Sequence, residues 1–184
     1  MKKSYKYLLF GLMVIAQIVV SAQIVYKYEC TIGSNNVYKF KTAPVDPNDP
    51  FRGKYITLNY QINSFETKDV SWDSYDTGYV YFSKDENGFA VLETLVKEPF
   101  SSSEFDYIKV EINNYHDGLI RFELPFDRYY MEESKAYDAE VLTRELRRDG
   151  KEDDIYAIVH IKNGTHVLTD IMVNGVSMKD AVAK

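Results

Sequence analysis

The sequence predicts a mainly β protein: an antiparallel barrel or sandwich-like sheet with one late α-helix, preceded by an N-terminal transmembrane or signal helix. Three observations carry that prediction. Apolar and aromatic runs of strand length, about eight of them, recur between turn signals along the chain. Beyond the leader only one segment, opening at Ser134, repeats its apolar residues at helical spacing. Aromatic residues make up 15% of the 184, with 16 Tyr, 10 Phe and one Trp, and rings pack well on pleated surfaces. A sugar-stacking platform is the sharper alternative use of so many rings.

The leader comes first. Lys2, Lys3 and Lys6 precede an apolar stretch from Tyr7 to Tyr26 that Gln17 and Gln23 interrupt. Twenty helical residues rise roughly 30 Å, about one hydrocarbon core. The basic flank belongs in the cytoplasm, which sends the rest of the chain outward. Inside the span the Gln17 amide calls for a hydrogen-bonding partner, usually another helix. Val20-Ser21-Ala22 before Gln23 also reads as a cleavage site behind a signal core from Leu8 to Val20. On both readings residues 1–26 are the leader and 27–184 a single exported β-rich domain, long enough to bury a core. Cys30 is the one cysteine, so no internal disulfide forms. The charged Lys27-Tyr28-Glu29 before it does not suit lipid attachment. A free thiol near the membrane and an intermolecular disulfide both stay open.

In the exported part, Val37 to Lys41 reads as a strand, and Tyr55 to Ile62 as another with Tyr55, Thr57 and Asn59 on one face and Ile56, Leu58 and Tyr60 on the other. Glu66 to Thr77 is polar and aperiodic, hence a loop. Tyr79–Ser83 and Phe89–Lys97 form a hairpin around Asp85-Glu86-Asn87-Gly88, and Tyr107–Asn113 with Gly118–Leu124 form a second around Tyr115-His116-Asp117. Ser134 caps the late helix, Ala139, Leu142 and Leu146 line it, Glu140 can pair with Arg144, and Gly150 ends it. Ile155–Lys162 and Thr165–Val173 flank Asn163-Gly164, a strong two-residue hairpin signal. This last hairpin is apolar on both faces and requires cover on each.

Between the first two strands lies Thr42 to Tyr60. Pro44, Pro47 and Pro50 hold it out of helix, and Asp46 and Asp49 can close Asx-turns between them. Arg52 can lock those carboxylates in a bidentate pair before Gly53 releases the chain into Tyr55 and its strand. Further on, Arg128-Tyr129-Tyr130 precedes Glu133 and Glu140, and Arg128 can latch onto Glu132 or Glu133 at the strand-to-helix junction. These blocks, with Ala157–Gly164 and Leu168–Gly175, resemble those of the GDYXXLXY family, small membrane-anchored bacterial proteins. The resemblance covers most of the chain. It implies a retained anchor and a complex with a polytopic membrane protein, but no particular reaction. Lys54 stands where the family name has Asp, so that carboxylate is not an obligatory catalytic group. Leu124-Pro125-Phe126-Asp127 and Ser134-Lys135 also depart from the family pattern.

Chemistry is sparse. The net charge of −6 disfavours a nucleic-acid partner. His116, His160 and His166 lack metal-ligand spacing. With Asn163-Gly164 as the turn, Lys162 faces Thr165, Ile161 faces His166 and His160 faces Val167, so the two hairpin histidines point to opposite faces. No Gly-x-Ser-x-Gly elbow occurs, Cys30 has no nearby His, and Ser134-Lys135 and Ser83-Lys84 are better explained by a cap and a turn. Asp46, Asn48 and Asp49 could hold Ca2+, but the prolines and the missing helix-flanked loop favour turn capping. No catalytic residue, metal or cofactor is assigned.

The functional expectation is an extracytoplasmic domain anchored through residues 7–26 in the inner (cytoplasmic) membrane, facing the periplasm or the cell exterior. It would serve as a non-catalytic accessory or scaffold for a polytopic partner, with Gln17 as the membrane contact. The alternative is an exported ligand-binding module or hydrolase with a site near Asp46, Asp49, Arg52 and Arg128.

Overall fold

The computed structural model describes residues 3–43, 55–132, 135, 138–139, 141–142 and 155–182. Helix α1 (Lys3–Ile32) opens the chain. It is apolar from Tyr7 to Tyr26 but for Gln17, Ser21 and Gln23, and mostly exposed as far as Glu29, after which Thr31 is buried and the last turn packs on the terminal hairpin. The helix therefore runs past Tyr26 and joins the β-domain without a linker.

Twelve strands follow among the described residues: β1 (Val37–Ala43), β2 (Tyr55–Thr57), β3 (Asn59–Tyr60), β4 (Ser64–Glu66), β5 (Thr77–Lys84), β6 (Ala90–Val96), β7 (Asp106–His116), β8 (Leu119–Phe122), β9 (Arg128–Tyr130), β10 (Ile155–Lys162), β11 (Thr165–Val173) and β12 (Val176–Ser177). One sheet runs β12-β11-β10-β1-β3, a second runs β4-β8-β7-β5-β6, and β2 pairs with β9. Every ladder between these strands is antiparallel. Both ends of the second sheet return to β1. At one end the Lys39 N–H donates to the Gly88 carbonyl (3.0 Å) beside a Lys39–Phe89 bridge. At the other, β3 pairs with Thr42 and Ala43 and leads straight into β4. The result is a nearly closed antiparallel barrel with β1 as its seam.

Apolar residues fill it. In β10, Ile155, Ala157, Val159 and Ile161 alternate inward, as a period of two requires. Phe40 lies at the centre, its ring 5.1 to 6.4 Å from those of Phe126, Phe82, Tyr60 and Tyr38. Residues 138–139 and 141–142 are helical, with Ala139 fully buried and Leu142 packed against the core. A closing helix, Met178–Ala181, buries Met178.

The terminal hairpin has the register expected from its turn: Lys162 opposite Thr165, Ile161 opposite His166, His160 opposite Val167. Asn163 and Gly164 both have positive φ (49° and 77°), the type I′ geometry. Gly164 has a second reason to be glycine, because a Cβ there would lie 2.8 Å from the Tyr107 ring.

Elsewhere the structure corrects the expected elements. The strand expected over Tyr55–Ile62 is two strands, because at Leu58 the chain exchanges β9 for β1 as its partner. Ser64–Glu66, expected partly as loop, pairs with β8. The β7–β8 turn is the two-residue Asp117-Gly118, so β7 runs three residues further toward the turn than expected, while β8 is shorter than the expected Gly118–Leu124. Asn174-Gly175 makes a further tight turn into β12, and the closing helix follows where no second late helix was expected.

Candidate functional site

A hollow opens in the barrel wall where two chain segments separate. Residues 57–63 and 121–127 are tied together at each end: the Phe122 N–H donates to the Asn63 carbonyl (3.0 Å), and the Leu58 N–H to the Asp127 carbonyl (2.7 Å). Between those ties they part, leaving a cleft of about 400 Å³. Leu58, Tyr60, Phe122 and Leu124, all buried, contribute apolar wall. Asn59, Asn63, Asn113, Asn114, Arg121, Glu123 and Asp127 supply the polar lining.

Local structure explains that lining. A bulge in β7 between Ile112 and Asn114 interrupts the alternation, so Asn113 and Asn114 are both exposed and both border the cleft. The Asn113 amide donates to Glu123 Oε1 (2.9 Å). The Tyr60 hydroxyl donates to the Phe126 carbonyl (2.9 Å), and burial, then the Asp127 charge, raises its pKa, so it stays a donor. The site can recognise hydrogen-bonding groups, since each carboxamide offers both donors and an acceptor. Among the described residues no group of His, Cys, Asp and Glu could hold a metal ion.

The residues expected from sequence distribute as follows. Asp46, Asp49, Arg52 and Glu133 lie outside the described residues, and so does the proposed proline-loop latch. Tyr55 pairs in the β2–β9 ladder with Tyr130, and Arg128 pairs with Thr57. Arg128 Nε lies 3.9 Å from Asp127 Oδ1, at the rim of the cleft. Glu132 lies 4.0 Å from Lys135. Gln17 is exposed on α1, its carbonyl accepting from Ser21 Oγ (3.0 Å). The cleft asparagines were not expected; the doublet Asn113-Asn114 in an otherwise alternating strand is the signal that could have found them.

Two side-chain links brace the sheets. The Tyr129 hydroxyl donates to Asp170 Oδ1 (2.8 Å), tying β9 to β11, and burial and then that carboxylate raise the phenol pKa. Asp106 accepts from Asn36 Nδ2 and from Tyr38 Oη (3.0 Å), tying the second sheet to the junction below α1.

His166 sits in the barrel wall with its ring 5.4 Å from that of Phe126 and its Nδ1 buried without a hydrogen-bond partner. Burial lowers its pKa. The unfolded chain binds this proton below about pH 6.5, where the folded protein still resists it. His166 therefore adds no pH-dependent cost above that pH and destabilises progressively as pH falls from about 6.5 toward its lower folded value. Urea unfolding at neutral and mildly acidic pH should show His166→Phe losing less stability on acidification than wild type. Equal losses would refute this role.

The strand beginning at Tyr55 divides its residues cleanly. Leu58 and Tyr60 are buried in the core, while Thr57 and Asn59 are exposed and border the cleft. No curated protein and no solved structure matches the chain. A family model described as GDYXXLXY protein matches residues 17–171, from the middle of α1 into β11. With that match over most of its length, and with two of the blocks that resemble the family's hydrogen-bonded to each other as β2 and β9, the chain belongs to the GDYXXLXY family.

Proposed function

We propose that this protein is a single-pass, non-catalytic accessory domain of the bacterial envelope, anchored in the inner membrane by α1 and serving a polytopic membrane partner on the outer side. The observation that carries this reading is α1. Tyr5–Ile32 is 28 residues long and apolar enough to cross a bilayer, and no part of its apolar window is buried in the protein. An exposed apolar surface of that size is unfavourable in water and natural in lipid. Lys2, Lys3 and Lys6 set its direction, with the barrel outside. Gln17, exposed in mid-span, gives a partner helix something to bond.

A reporter fused after Lys184 should be active only outside the cytoplasm, and carbonate washing should leave the protein in the membrane. A soluble protein with a mature terminus at Gln23 would refute the anchor. Gln17→Leu should insert normally yet recover less of the polytopic partner in a pull-down; interhelical bonds of this kind contribute about 0.6–2 kcal/mol. Unchanged recovery would remove Gln17 from the contact.

The cleft favours a second reading, a ligand-binding module. Its lining gives a neutral, hydrogen-bonding solute more to hold than it gives any reaction to proceed.

A further inference from the structure

We propose that the loop between β6 and β7 is a second membrane contact, with Phe105 and Phe100 entering the outer headgroup layer of the bilayer that α1 crosses. This rests on the anchored reading given above.

The helix itself marks where the bilayer ends. Tyr5 and Tyr7 stand exposed near one end of α1, and Tyr26 and Tyr28 near the other. The rise from Tyr7 to Tyr26 is about 29 Å, close to one hydrocarbon thickness, and tyrosines at both boundaries are the usual interfacial arrangement. From Tyr28 to Ile32 the helix climbs only about 6 Å more, which a headgroup layer of roughly 5–8 Å accommodates. The barrel thus begins at the lipid surface.

Side-chain bonds place the loop at that same end. Asn36, four residues past α1, donates to Asp106 and accepts from Lys84 Nζ (2.6 Å). Asp106 opens β7 and pairs with Phe82, so Phe105 lies at the end of the sheet where Lys84 terminates β5. Phe105 is 44% exposed and Phe100 51%. The loop is also held in place: the Phe100 N–H donates to Tyr81 Oη (2.8 Å), and the two rings lie 4.8 Å apart. Exposed rings fixed beside a lipid surface gain by entering it. Glu98 and Glu104 in the same loop make the contact apolar and shallow rather than an attraction to anionic lipid. Two points of contact would fix the rotation of the barrel about α1.

The test uses the full chain in phosphatidylcholine vesicles whose acyl chains are brominated, which quench nearby tryptophan. Wild type sets the baseline, because its single tryptophan, Trp72, is buried beside Gly78 near the far end of β5. Phe105→Trp should add emission that is blue-shifted and partly quenched by bromines near the top of the acyl chains, while the Trp72 component stays unquenched and reports an intact fold. Ile18→Trp, in mid-span, tests the anchor separately. Quenching at both positions is the expected result. Quenching at residue 18 with none at 105 overturns the loop contact and leaves the anchor standing. No quenching at either position overturns both.

Discussion

Phe40→Ala is expected to lower the unfolding free energy by about 3–5 kcal/mol, the range for removing a fully packed phenylalanine. Phe40 is 1% exposed and reaches four other rings across the barrel interior. Its strand is also the seam to which both ends of the second sheet return, so a cavity there loosens the closure as well as the core. Aromatic pairs of this geometry add roughly 0.5–1.5 kcal/mol beyond area burial. Urea unfolding of the detergent-solubilised full chain measures the loss. Phe40→Leu, which keeps most of the volume, should cost much less. A loss below about 1 kcal/mol for the alanine variant would mean that the ring cluster is not the core.

Leu58→Ala should cost about 2–5 kcal/mol, whereas Asn59→Ala, one residue on, should stay within about 0.5 kcal/mol of wild type. The two neighbours face opposite sides of one strand, Leu58 at 5% exposure in the core and Asn59 at the cleft rim. Leu58 also sits where the strand changes partners, its N–H bonded to the Asp127 carbonyl. The Leu and final Tyr of the family's name therefore correspond here to the core residues Leu58 and Tyr60, while Asn59 between them borders the cleft. If ligand or partner binding instead falls with Leu58→Ala at full stability, that division is wrong.

What could be read from sequence was what local chemistry decides. The terminal hairpin was legible to the register because Asn-Gly dictates a two-residue turn, which fixes every cross-strand pair after it. The division of Leu58 and Tyr60 from Thr57 and Asn59 was legible from alternation. The β7–β8 turn was misplaced because the bulge at Asn113 disrupts that alternation just before Asp117-Gly118. β9 and the partner exchange at Leu58 depend on pairings about 70 residues distant, for which three-residue strands carry no local signal. The cleft was invisible for the same reason: it exists because two remote segments separate between two hydrogen bonds. Of the expected site residues, Arg128 touches the cleft only through the neighbouring Asp127, and Tyr55 lies in the β2–β9 ladder.

The seam strand has a consequence for how the protein is made. β1 is the first strand to follow α1, yet its long ladder is with β10, and Thr42 Oγ1 donates to the Ile155 carbonyl 113 residues further on. On the proposed exported reading, β1 would emerge early and wait, one edge unpaired, until almost the whole chain had crossed. Closure over so long a separation is slow, and an unpaired edge invites wrong partners. Tethering by α1, on the same reading, would hold that waiting strand at the membrane surface, and pulse-chase protease protection should appear only after β10 and β11 have been delivered.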